Sequence, residues 1–153
     1  ILRLVKAFHH TIDKIPHHLY LVSGRSWNNP GIKEYIDMYN LHHRIHLLPH
    51  IPEKDLIAMY SLASAFVYPS LYEGFGLPII EAQACGCPVM TAKGSSCEEV
   101  GKYYAIIIDS KDITSIYNGL LYTLTIKTNE NMKSIDHSIY NWKKCGIDII
   151  DHN

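Results

Sequence analysis

The chain has 153 residues, of which 14 are Lys or Arg and 15 are Asp or Glu, so its formal charge is −1. This balance gives no basic surface for nucleic acid, and no apolar run reaches the ~20 residues of a membrane span. The length suits one domain with a core of its own.

An amphipathic helix is predicted from Leu2 to Ile12, with Leu4, Val5 and Phe8 on its apolar side. It is under way at the first residue, which is not the pattern of a signal peptide. The short apolar run His18 to Gly24 ends in glycine and reads as a buried parallel strand. A helix from Pro30 to Asn40, a strand from Arg44 to Leu48 and a helix from Pro52 to Ala63 follow. Next come a strand from Ala65 to Tyr68, a glycine-bearing loop, and a helix through Ile79 and Ile80 to Gly86. Strands Pro88 to Thr91 and Ala105 to Asp109 flank a Gly94-Ser95-Ser96 turn, and a helix from Asp112 to Leu124 packs on the sheet. The more polar remainder holds a final helix from Ile135 to Cys145, so residues 1–125 form the domain and 126–153 a helical extension of it. The alternation predicts an α/β fold with a doubly wound parallel sheet, Rossmann-like, whose ligands bind beyond the carboxyl ends of the strands.

The segment with the most chemistry is SLYEGFGLPIIEAQACGCPV, Ser70 to Val89. Gly74 and Gly76 leave the backbone bare for a close ligand, and Pro78 suits the first turn of a helix. N–H groups at that helix start make a cradle for phosphate. Glu73 stands before the cradle and Glu81 one turn beyond it, and a carboxylate can take two neighbouring sugar hydroxyls. The arrangement suits a sugar carried on a nucleoside diphosphate. Each residue has a plainer reading as well. Glu73 could serve the helix dipole and Glu81 could be a solvated helix residue, although Ile80, Ala82 and Ala84 suggest a mostly buried helix. A glycosidase acid–base pair is judged by separation in space. The four cysteines have no zinc spacing and read as buried thiols; none of the ten histidines has the helical spacing with a Glu that marks a zinc site.

The motif resembles the donor-binding signature of the retaining glycosyltransferases of family 4, which have the GT-B fold. That pattern is a glutamate, seven residues and a second glutamate, here E-G-F-G-L-P-I-I-E from Glu73 to Glu81, then A-Q-A-C-G-C-P-V. The likeness extends upstream through Arg44 to Ser70 and downstream through SSCEEVG and YAIIIDSKD. It implies a catalytic-region contact of Glu73 with the donor sugar, backbone donors from Gly74, Phe75, Gly76 and Leu77, and Glu81 on the ribose diol. Phe75 would pack rather than stack. His50 would lie near the nucleobase, Gly24 and Arg25 would wall the same pocket, and Glu99 would brace the turn after Gly94.

The resemblance further implies a hexosyl transfer from GDP-mannose or a UDP-sugar to a glycan or lipid-linked acceptor, with retention and without a metal or other cofactor. It implies a cytoplasmic protein, held at the membrane only through parts outside this sequence. The chain departs from the family at its amino end: the strand with a Gly-Arg turn and the lysine that neutralise the diphosphate would precede Ile1, as would the acceptor-binding domain. The missing strand lies near the middle of the sheet, so a gap or two exposed edges are expected. The alternative is a non-catalytic nucleotide-sugar-binding or interaction module; a nucleotide-sugar epimerase is a weaker third.

Overall fold

The computed structural model describes residues 1–23, 30–102 and 104–126. Their elements alternate: α1 (Leu2–His9), β1 (Leu19–Val22), α2 (Pro30–Met38), β2 (Ile45–Leu48), α3 (Glu53–Leu62), β3 (Phe66–Tyr68), α4 (Leu77–Ala84), β4 (Val89–Ala92), α5 (Ser96–Gly101), β5 (Ala105–Ile108) and α6 (Ile113–Thr123). The helix expected at Ile135 to Cys145 lies outside the described residues. So do Gly24 and Arg25.

All paired strands are parallel, as the α/β alternation requires. They do not form one sheet. β1 pairs with β2, Leu19 opposite Ile45, and β3-β4-β5 form a second sheet with Phe66 opposite Val89 and Val89 opposite Ala105. The parting falls between β1 and β3, where a gap was expected.

Helices cover both faces. α1 packs on α2 and α6, and α6 lies on β4 and β5; α4 and α5 lie on the opposite face, with α3 against α4. β4 is buried along its whole length. Its Met90 joins a core of Leu4, Phe8, Leu19, Ile45, Ile108 and Leu120, while Val89 joins Tyr60, Ile79, Cys87 and Cys97. The first of these cores contains residues of both sheets, so the two sheets are held as one body.

Local chemistry sets the boundaries. α1 stops three residues short of the expected end. The buried Thr11 hydroxyl donates to the Phe8 carbonyl at 2.7 Å, competing with the helix ladder, and the chain goes on in single turns to Lys14. Arg44 then holds the connection to β1, donating to the carbonyls of Ile15 and His17 at 2.5–2.9 Å. Gly86, at φ 75°, ends α4: its N–H donates to Gln83 and that of Cys87 to Ala82, the two bonds of a Schellman stop. α5 was not expected. Ser95 caps it by accepting from the Cys97 N–H, and Glu98 reaches back to the Gly94 N–H at 2.5 Å. Ser95 and Glu98 stand at the Ser-x-x-Glu spacing of a capping box, readable in the sequence, but each bonds the N–H one residue before the usual one. Glu98, not Glu99, braces the turn.

On the β1–β2 face, His18 Nδ1 and His46 Nε2 are 2.9 Å apart, and the Tyr20 ring stacks on His46 at 4.7 Å. Burial, then the charge of His18, holds the His46 imidazole below its ordinary range; burial, then His10, does the same to His9 against an opposing Asp13. The folded chain therefore binds these protons less readily than the unfolded one. Their contribution is complete above about pH 6.5 and is lost as pH falls through the depressed folded values. A series of melting curves from pH 8 to pH 5 is expected to show falling stability, less steep in His46→Gln; an identical slope in the variant removes the His46 contribution.

Candidate functional site

The site is built where β3 runs out. Tyr68 is the last residue of that strand, and the loop after it turns back to bring Glu73 beneath its hydroxyl. Glu73 is half-buried. Its Oε1 accepts from Tyr68 Oη and from Ser70 Oγ, each at 2.9 Å. Its main-chain carbonyl accepts from Ser96 Oγ at 2.8 Å, which ties the loop to the start of α5. Both side-chain bonds fall on Oε1, so Oε2 is the oxygen on which a hydroxyl-bearing ligand can bond. Burial, then the hydrogen bond and charge of Glu73, raises the Tyr68 phenol above its ordinary range. Tyr68 therefore stays a protonated donor.

Gly76 is the N-cap of α4 and sits at φ 87°, in the left-handed region that glycine takes without strain. A Cβ there would lie 3.4 Å from both Cys97 Sγ and Ile79 Cδ1. Gly74 is exposed, and a Cβ on it would meet nothing within 4 Å, so this stretch of backbone is open to a ligand. The Ile79 N–H is taken up by the Gly76 carbonyl at 3.0 Å, and Pro78 has none. An anion cradle can therefore come only from the turn ahead of Pro78, which is the Gly74–Leu77 stretch.

Glu81 departs from expectation. It is exposed, and so is Ala84. α4 buries Ile79, Ala82 and Gln83, at spacings of three and four, and this turns Glu81 to the opposite side. Its nearest hydroxyl, Tyr60 Oη, stands at 3.5 Å from Oε2, the outer limit of a hydrogen bond. Burial, then the Glu81 charge, raises the Tyr60 phenol. Tyr60, Phe66 and Tyr68 form a row of ring contacts at 5.0 and 5.7 Å, with a glutamate at either end. The row relates the two glutamates through packed side chains rather than through direct contact.

Phe75 is 41% exposed and belongs to neither core. Leu77 is exposed as well. His50 is exposed in the loop after β2. Gly24 falls outside the described residues. Cys87 and Cys97 are buried, and burial pushes the Cys87 thiol up to about 11; Cys85 is only half-buried. At the carboxyl end of β4, Lys93 Nζ pairs with Asp109 Oδ2 at 3.0 Å. Among the described residues no three His, Cys, Asp or Glu side chains converge as a metal site would require.

Three contributors escaped the sequence reading: Tyr68, Ser70 and Ser96. Ser70 stands three residues before Glu73, a spacing at which a hydroxyl can reach a loop carboxylate. Nothing local marks Ser96, which meets Glu73 only because α5 folds back on the loop.

The O-antigen chain mannosyltransferase B of Escherichia coli is 36% identical over 106 residues, 69% of this chain and 28% of that protein. A human phosphatidylinositol N-acetylglucosaminyltransferase component is 27% identical over 137 residues, 86% of this chain and 28% of that protein. The chain thus spans about a quarter of the length of these relatives. Among solved structures, sucrose-phosphate synthase from Thermosynechococcus elongatus superposes with a TM-score of 0.76 at 23% identity, over 98% of this chain and 41% of that one. HepE from Anabaena, in complex with UDP and glucose, gives 0.74 at 19%, over 98% and 43%. These likenesses establish the GT-B type of Rossmann-like fold. The family described as "Glycosyl transferases group 1" matches residues 1–141, and the chain belongs to it.

Proposed function

We propose that this chain is the donor-binding part of a retaining glycosyltransferase that moves a hexose from a nucleoside-diphosphate sugar to a glycan or lipid-linked acceptor. The observation that carries the reading is Glu73, held on one oxygen by Tyr68 and Ser70 beside the open backbone at Gly74. In this reading the loop N–H groups take the distal phosphate and Glu73 Oε2 accepts from a sugar hydroxyl. Glu81, exposed on α4, accepts the ribose diol. The leaving diphosphate is stabilised by preorganised donors, so no metal is needed. The mannosyltransferase relatives make GDP-mannose the first donor to try. Acceptor and nucleophile would come from a second domain, and residues 126–153 would extend the donor domain. The protein would work on the cytoplasmic side. Among the described residues no helix is long and apolar enough to cross a membrane.

Calorimetric titration of the chain with UDP, GDP and their sugars tests this: saturable binding of one nucleotide is expected, and no binding by a folded chain would mean that this chain alone does not hold the donor. Tyr68→Phe takes away one of the two donors on Glu73, a bond to a charged group worth about 1.5–3 kcal/mol. It is expected to lower affinity for the nucleotide sugar while leaving that for the bare nucleotide unchanged. An equal loss for both would assign Tyr68 to the fold rather than to the placing of Glu73.

The parted sheet favours a second reading for the isolated chain, as a binding module without transfer. Mixing it with a polypeptide that carries the acceptor-binding domain separates the two: transfer restored on mixing supports the first.

A further inference from the structure

Tyr60 carries a hydroxyl from the core to the open side of α4. It sits on α3 at 5% exposure, in the layer of Ile79, Ala82, Cys87 and Val89. Its ring meets Phe66 edge-on, at 5.0 Å and 80°, and Phe66 lies along Tyr68 at 5.7 Å. Phe66 and Tyr68 are two apart on β3 and so share one face of the strand. α3 in turn packs on α4. A tyrosine side chain has only two torsions, so a ring packed in this way fixes where its hydroxyl stands. A buried tyrosine hydroxyl finds a partner, and here the partner is Oε2 of Glu81 at 3.5 Å. Burial, then the Glu81 charge, keeps the phenol protonated. The bond therefore has one direction: Tyr60 donates and Glu81 accepts.

We propose that Tyr60 is the positioning residue of Glu81, its hydroxyl holding the exposed carboxylate in the orientation that meets two neighbouring hydroxyls of a ligand, a role that rests on the donor-binding reading of the site. An exposed glutamate turns among several rotamers, and fixing it when a ligand arrives costs rotamer entropy. A carboxylate that is already held avoids that cost. It has about four acceptor positions, so one bond from Tyr60 leaves both oxygens able to accept from a diol. The same device stands at the other end of the row, where Tyr68 donates to Oε1 of Glu73 at 2.9 Å. Each glutamate is thus held by one tyrosine, and the two tyrosines are packed on a single phenylalanine. Tyr60 itself is buried, so it acts through Glu81. It serves the nucleoside end of the donor, as Tyr68 serves the sugar end.

The test is Tyr60→Phe, which removes one oxygen and keeps the buried ring, read first without any ligand. Three-bond NMR couplings along the Glu81 side chain are expected to report one rotamer in the parent chain and an average over several in Tyr60→Phe. Averaging already present in the parent, or a rotamer that stays fixed in the variant, overturns the proposal. The second reading is calorimetry with GDP, GDP-mannose, UDP and UDP-glucose. Tyr60→Phe should lower affinity for the nucleotide that binds by about 3- to 10-fold, the effect of one modest hydrogen bond. The loss should be the same with and without the sugar, because the ribose is common to both. In the Glu81→Ala background the same substitution should change affinity by less than about twofold, since two residues acting through one contact do not add. An undiminished loss in that background would make Tyr60 a residue of the fold and overturn the proposal. So would an affinity that Tyr60→Phe leaves unchanged while Glu81→Ala lowers it. A parent chain that binds none of the four, or a Glu81→Ala chain that binds as the parent does, counts instead against the donor reading at Glu81, and the couplings alone then decide whether Tyr60 holds the carboxylate.

Discussion

Glu81→Ala is expected to weaken binding of the nucleoside diphosphate by about 10- to 100-fold while leaving the melting temperature where it was. The two halves of this expectation come from one observation. Glu81 is exposed on α4 and accepts only a long, 3.5 Å bond from the Tyr60 hydroxyl, so its removal takes no apolar packing from the core. Alanine is also the better helix former. Loss of affinity in this variant therefore reads a ligand contact and not a damaged fold. The size follows from hydrogen bonds to a charged acceptor, about 1.5–3 kcal/mol, at about 1.4 kcal/mol for each factor of ten. Calorimetry with the bare nucleotide and with the nucleotide sugar should show the same loss, because the ribose is common to both. An affinity unchanged by the substitution would remove the ribose role from Glu81 and leave Glu73 as the anchor of the site.

Gly119→Val is expected to be the most damaging single change in the described fold, by about 3 kcal/mol or more. Gly119 is buried in α6 where that helix lies on β4 and β5. A Cβ at this position would stand 2.4 Å from Ile108 Cγ2 and 2.7 Å from Met90 Sδ. Methionine can swing away, but the β-branched Ile108 is stiff and belongs to the same core. Overpacking costs about 1–3 kcal/mol, and valine adds two methyl groups beyond the Cβ. Alanine regains up to about 1 kcal/mol of helix propensity, so Gly119→Ala should be milder. At about 2–4 °C per kcal/mol for a chain near this size, the valine variant should melt roughly 10 °C lower in a thermal scan. Gly74→Ala is the matched control, since its Cβ meets nothing, and it should melt with the parent chain. A valine variant as stable as the parent would show that α6 can lift from the sheet at little cost.

How far the site was legible depends on the range of the interaction that makes it. The turn at Gly74 to Gly76 and the helix start at Pro78 are local, and both appear where the residues place them. Side-chain burial was harder to read. Glu81 follows Ile80 and precedes Ala82, yet the buried stripe of α4 is chosen by what lies under it, and Ile79, Ala82 and Gln83 face that layer. Phe75, read as a packing rather than a stacking residue, is partly exposed in the turn. The bonds that hold Glu73 combine both ranges. Ser70 is a neighbour in sequence, Tyr68 reaches it because the loop doubles back, and Ser96 belongs to a helix 23 residues away.

The sequence by itself determined the alternation of strands and helices, the parallel pairing and the chemistry gathered between Glu73 and Glu81. These follow from periodicity, turn residues and a motif, all of which act over a few neighbours. It also held the Ser95-x-x-Glu98 cap of α5. Only the tertiary structure decided which face of α4 is buried and which hydroxyls restrain Glu73. Burial and strand adjacency are properties of the whole packed layer, settled by contacts between residues far apart in the chain, and no local pattern carries them.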